Sequence, residues 1–182
     1  MKRIIAATLA TVLTLSLAAC GGTAGTPTPS GTATPDVTTT ASIVDTEANF
    51  EKALGTDGTW IIAALKDMTF DKELTLEGEF TNGKKDDKGN DVIQRKIALY
   101  TQDDNHVVTN RFTLTAPKLT VTSPNARIQS GTFKGDLYVS VDNFQLVDAT
   151  VEGNVYFTTD SAKDTFTMDE KSKVTGAQEV KK

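Results

Sequence analysis

One internal likeness limits what this chain can fold into more than any other feature. The stretch Gly131, Thr132, Phe133, Lys134, Gly135, Asp136, Leu137, Tyr138, Val139 returns as Ala149, Thr150, Val151, Glu152, Gly153, Asn154, Val155, Tyr156, Phe157, an offset of 18 residues. The second copy keeps the inner glycine, the tyrosine and the apolar residues on either side of it. A weaker third copy follows, in which Phe166, Met168, Val174 and Gly176 echo Phe144, Leu146, Val151 and Gly153 at an offset of 22 to 23. A unit this short cannot bury an apolar face alone, so its copies must stack on one another.

The same rhythm runs through most of the chain. Met68 and Phe70, Leu74 and Leu76, Phe112 and Leu114, Leu119 and Val121, Leu137 and Val139, Phe144 and Leu146, Val155 and Phe157 are apolar pairs around one intervening residue. Each is an inward, outward, inward step of a strand. Gly, Asn, Asp, Pro and Lys separate them, which leaves no room for helical crossovers. Three brief strands per coil predict a mainly β protein, a single-stranded parallel β-helix or β-solenoid; an antiparallel sandwich with tight hairpins is the competing arrangement. A short capping helix precedes it: Thr46 or Asp45 suits the N-cap, Phe50, Ala53 and Leu54 share a face, and Gly55 suits the stop. Within the triplets Tyr138 and Tyr156 point outward on adjacent rungs, a candidate binding face. Ring-on-ring stacking that stabilises the sheet is the plainer role for the pair. The outward residues Thr69, Thr75, Thr113, Thr120 and Thr167 are ordinary strand formers.

The start of the chain carries a different signal. Lys2 and Arg3 precede an apolar run from Ile4 to Leu17, too short to span a bilayer, where about 20 residues are needed. The run closes on Leu17, Ala18, Ala19, Cys20 and Gly21, the pattern of a bacterial lipobox. Residues 1–19 are therefore expected to be a lipoprotein signal peptide, and Cys20 to carry lipid. Cys20 is the only cysteine, so a disulfide within the chain has no second partner. Two or three acyl chains on one residue make a lasting anchor, where one binds reversibly. Residues 20–43 are rich in Thr, Gly, Pro, Ala and Ser, with Asp36 the one charge, and read as a disordered linker spanning about 25 to 30 Å. Residues 44–182 bring charges, aromatics and β-branched residues together and form the folded domain. Loss of Lys2 and Arg3 takes the net charge of −5 two units lower. An acidic surface argues against nucleic acid as a partner, and against a grip on anionic lipid beyond the covalent anchor.

Candidate chemistry is sparse. His106 is the only histidine and sits in the polar stretch 102–110, a poor basis for a transition-metal site. No Gly-x-Ser-x-Gly turn accompanies it, so hydrolase chemistry has no nucleophile to build on. Asp86, Asp87, Asn90 and Asp91 gather around Gly89, and Asp103, Asp104 and Asn105 lie further on; both offer oxygen ligands for Ca²⁺ but neither has the EF-hand order, and plain charged turns fit them as well. Arg95, Arg111 and Arg127 with acids would suit a polysaccharide lyase, but the chain has too few rungs for a long cleft. No catalytic residue, metal site or cofactor is expected.

Thr59 to Ile62, Leu74 to Gly78, Ala98 to Asp104 and Ala126 to Val139 together resemble a family of small lipoproteins from Gram-positive anaerobes, over most of residues 46 to 180. The tail, by its rung pattern, is similar to the bactofilins, polymer-forming bacterial β-helix proteins. The chain departs from bactofilins in its opening helix, its lipid anchor and the stretch from Thr81 to Gln94. The resemblance implies no catalytic residue. The expectation is a protein held by lipid on the extracytoplasmic face of the cell membrane, displaying a non-enzymatic domain that binds wall glycan or a surface protein. Self-association as a scaffold is the second expectation, since open strand edges template another copy. A helix over the first rung, and Glu170, Lys171, Lys173, Glu179, Lys181 and Lys182 at the far end, argue against unlimited growth.

Overall fold

A computed structural model describes residues 41–181. Strand β1 (Ala41–Val44) is followed by helix α1 (Glu47–Leu54). The next rung runs through β2 (Ile61–Ala64), β3 (Met68–Thr69) and β4 (Leu74–Leu76). A hairpin of β5 (Thr81–Lys85) and β6 (Asp91–Ile93) then leaves the coil. Strand β7 (Lys96–Ala98) re-enters it, and a second antiparallel hairpin, β8 (Tyr100–Gln102) with β9 (Val108–Arg111), interrupts before β10 (Thr113–Val121) closes that rung. Two regular turns follow. The first is β11 (Arg127–Gln129) and β12 (Thr132–Val139), the second β13 (Gln145–Val147), β14 (Thr150–Glu152) and β15 (Val155–Phe157). After the short helix α2 (Asp160–Asp164) come β16 (Thr167–Met168), β17 (Lys173–Val174) and β18 (Gln178–Val180).

Every pairing between rungs is parallel, so the chain is a β-solenoid with three faces. The first face stacks β1, β2, β7, β11, β13 and β16 in chain order. The second stacks β3, the first halves of β10 and β12, then β14 and β17; the third stacks β4, the second halves of β10 and β12, then β15 and β18. The repeat offset is the register: Leu137 pairs with Val155, Tyr138 with Tyr156 and Val139 with Phe157. The longer third offset is the cost in chain length of α2, which the sequence pattern did not reveal.

The interior is a set of apolar columns, one residue per rung. Ile62, Ile97, Ile128 and Leu146 line the first face, Met68, Leu114, Phe133 and Val151 the second, and Leu76, Val121, Val139 and Phe157 the third, all essentially buried. Each such side chain contributes roughly 1.5 to 3 kcal/mol on burial. Helix α1 covers the first end of these columns. Thr46 caps it, accepting from the Asn49 amide at 3.2 Å, and Phe50, Ala53 and Leu54 are the residues it buries, with Phe50 against Phe70 at 5.8 Å between ring centroids.

One expectation needs correction. Ala41 to Ile43 were assigned to the linker but belong to β1, paired residue by residue with Ile61 to Ala63. Strand addition uses backbone groups, and Val44 is the only fully buried residue of the four, so composition carried no mark of it. The helix stops at Gly55, as its sequence implies; the glycine is extended and its amide donates to Lys52 O at 3.3 Å. Arg95 also serves the carbonyls at this end, donating from Nη1 to Leu54 O at 2.9 Å and from Nη2 to Gly55 O at 2.9 Å and to Ala53 O, beside the Glu77 and Gly58 amides on Leu54 O and Gly55 O. Arg95 is fully buried under the Phe80 ring, 4.2 Å from its centroid. Burial pushes its pKa down to about 10, while Glu77 opposes that shift, and it remains charged at neutral pH. A cation on a helix C-terminus is favourably placed.

The corners are held by side-chain ladders with the repeat spacing. Asn125 and Asn143 both adopt positive φ, and Asn143 Nδ2 donates to Asn125 Oδ1 at 3.0 Å. At another corner Asn154 donates to Asp136 Oδ1 through its amide and its Nδ2, and Asn154 Oδ1 accepts from the Ala177 amide. The repeated glycines sit where rungs come closest. A Cβ on Gly135 would lie 1.8 Å from Ala116 O, and one on Gly153 would lie 2.0 Å from Gly135 O.

Candidate binding surfaces

On the third face the outward column runs Thr75, Thr120, Tyr138, Tyr156, Glu179. The two phenol rings lie one above the other as the repeat implies, 5.0 Å between centroids and tilted by 50°. Sequence reasoning missed the cations that join them. Lys118 Nζ stands 4.8 Å from the Tyr138 centroid and is also paired with Glu73 at 3.0 Å. Lys181 Nζ stands 4.2 Å from the Tyr156 centroid and donates to Tyr138 Oη at 3.3 Å, the bond that raises its pKa most. Lys118 belongs to the neighbouring rung and Lys181 follows β18, so only register brings them to the rings. Ring pairs of this kind contribute about 0.5 to 1.5 kcal/mol beyond area. With lysines against the rings, what the column offers a partner is phenol edges, hydroxyls and ammonium groups.

A second cluster lies outward on the first face and was not expected. The residue before the inward isoleucine or leucine of each rung is Ile61, Lys96, Arg127 and Gln145, in direct register. Lys96 Nζ lies between Trp60 and Tyr100, 5.4 and 6.0 Å from their ring centroids. Arg127 donates from Nε and Nη2 to Gln145 Oε1 at 3.0 and 2.6 Å. Partial burial lowers the Lys96 pKa and the neighbouring Arg127 lowers it further; burial raises that of Tyr100, against an opposing pull from Arg127. Beside them is a shallow groove lined by Ile61, Ala63, Ala98, Lys96, Tyr100 and Gln102. The hairpin β8–β9 supplies its Tyr100 wall.

The other candidates are spread apart. Asp86 sits at the tip of the first hairpin, where its carboxylate accepts from the Lys88 and Asn90 amides and from Asn90 Nδ2, contacts that lower its pKa. Asp91 pairs with Lys85 at 2.8 Å. Asp103 closes the second tip, accepting from the Asn105 and Val107 amides. His106 follows at φ 62°, its Nδ1 2.9 Å from Gln102 Nε2. Both acidic stretches are thus hairpin turns. Among the described residues no three His, Cys, Asp or Glu side chains gather as a metal site would require. Arg111 pairs with Asp148 at 2.6 Å, while Arg95 lies on the end of α1 and Arg127 against Gln145, so the three do not gather. Cys20 and the expected signal peptide, residues 1–19, lie outside the described residues; within those residues no helix is long and apolar enough to cross a membrane. No family model, curated protein or solved structure matches the chain.

Proposed function

We propose that the chain is a lipid-anchored display module, held to a membrane through Cys20 and binding wall glycan or a surface protein without catalysing a reaction. The observation that carries this reading is the third-face column of Lys118, Tyr138, Tyr156 and Lys181. It sets aromatic edges and hydrogen-bond donors on neighbouring rungs, about 4.8 Å apart, on a rigid sheet. Such a row suits a repeating or extended partner. The anchor reading is supported by the lipobox at Leu17 to Cys20 and the apolar run before it.

Metabolic labelling with a radioactive fatty acid tests the anchor: label in the membrane fraction is expected for the natural chain and its loss for Cys20→Ala. Sedimentation with isolated cell wall tests the binding, where Tyr138→Ala with Tyr156→Ala is expected to release the protein. Unlabelled Cys20, or wall binding that ignores the tyrosines, overturns the corresponding half. Self-association is a second reading, favoured by β1 and β16 lying at the two ends of the first-face sheet. Analytical ultracentrifugation over a wide concentration range separates them: a constant monomer excludes the scaffold, and growing polymers establish it.

A further inference from the structure

We infer that the first face carries a separate site for an acidic sugar residue, formed by Lys96 and Arg127 with Trp60 and Tyr100. This site lies on a different face from the tyrosine column and stands whether or not that column binds anything. Lys96 and Arg127 occupy directly paired positions on neighbouring strands, so two positive charges are held side by side, each only partly exposed. Neither forms an ion pair with a carboxylate among the described residues, although the chain carries an excess of acids. Arg127 is satisfied at one oxygen only, Gln145 Oε1, which leaves guanidinium donors to spare. Lys96 Nζ has no hydrogen-bond acceptor among the described residues, only the two rings. Like charges that are close, half-buried and unneutralised repel, and a bound anion removes that penalty.

The surroundings choose the class of anion. The Trp60 and Tyr100 rings stand 5.4 and 6.0 Å from the ammonium group, and the groove beside it has an apolar part, Ile61, Ala63 and Ala98. A pyranose ring presents C–H faces to such surfaces and, in a uronic acid, a carboxylate to the cations. Arg accepts a carboxylate through two parallel hydrogen bonds. The strands that carry the two cations are one rung apart, roughly 4.8 Å, near the length of one sugar unit. A phosphate polymer would use the charges but not the apolar floor.

Trp60 is the only tryptophan, so the site carries its own probe. The full chain in a neutral detergent is titrated with an oligogalacturonate while the Trp60 emission is followed. A saturable shift is expected, with Lys96→Gln and Arg127→Gln each weakening binding at least tenfold and Lys96→Arg staying within a few-fold of the natural chain. Circular dichroism checks that each variant folds, and should Lys96→Gln not fold, Arg127→Gln decides alone. A neutral oligosaccharide that binds equally well overturns the proposal, as does an oligoglutamate or polyphosphate of equal charge that competes as strongly. Absence of saturation, or variants with undiminished affinity, overturns it too.

Discussion

With φ at 157°, Gly153 brings its Cα under the Gly135 carbonyl at a corner where a methyl group would lie 2.0 Å from that oxygen. The obstacle is backbone, which cannot swing aside as a flexible side chain would. Gly153→Ala is expected to destabilise the fold by at least about 2 kcal/mol, read by denaturant unfolding. Asp169 makes an argument of a different kind. Its Oδ1 accepts from Ser172 Oγ at 2.6 Å and from the Asp148 amide at 2.9 Å, and the Ser172 bond is the larger cause holding its pKa below the ordinary 3.8. A lowered carboxyl pKa means the unfolded chain binds the proton more readily. Its stabilisation is therefore full above the ordinary aspartate value and is lost as pH falls through the folded one. Unfolding temperatures of the natural chain and Asp169→Asn are expected to differ most at neutral pH and to draw together as pH falls from about 3.8 through the lower folded value.

Helix α1 depends on a residue from the rung above it. Arg95 takes the carbonyls of Ala53, Leu54 and Gly55 from a position 40 to 42 residues further along the chain. Arg95→Met keeps much of the volume but takes the donor from Ala53 O and removes the charge from the helix end, while Leu54 O and Gly55 O keep the Glu77 and Gly58 amides at 3.1 and 3.3 Å. A loss of about 2 to 4 kcal/mol is expected, with hydrogen exchange accelerating across residues 47–54 before the rest of the solenoid. The hairpin β8–β9 is the opposite case. It leaves the coil after Leu99, whose O accepts from the Phe112 amide at 2.8 Å, so the rung is already closed beneath it. Replacing residues 101–110 by a tight turn is expected to shift the unfolding midpoint little, by about 1 kcal/mol or less.

At the scale of the molecule, stability passes from rung to rung, since each column residue packs on its counterparts above and below. The last rung is thinly buried: Met168 is 38% exposed, and Lys173, Gln178 and Glu179 face solvent on its strands. It covers Phe144, Val151 and Phe157, which are fully buried. Ending the chain after Thr158 would uncover those side chains along with the edges of β13, β14 and β15. Light scattering is expected to show concentration-dependent association of the truncated protein and none of this kind for the intact one.

The offset of 18 residues, the alternating triplets and the corner glycines determined the solenoid, because stacking in register requires each rung to repeat the spacing of its neighbour. They also determined that Tyr138 and Tyr156 share an outward column. Helix α1 was legible from its N-cap and its apolar face. What the sequence did not contain were relations between rungs of unequal length: two hairpins and α2 break the period, so nothing along the chain said that Lys96 would stand beside Arg127, or Trp60 near Tyr100. Strand β1 was hidden because backbone pairing needs no particular side chain. Arg95 on the helix end, Lys181 on Tyr156 and the cation pair of the first face were decided only by tertiary structure, since register, set by the summed packing of the buried columns, fixes which distant residues become neighbours.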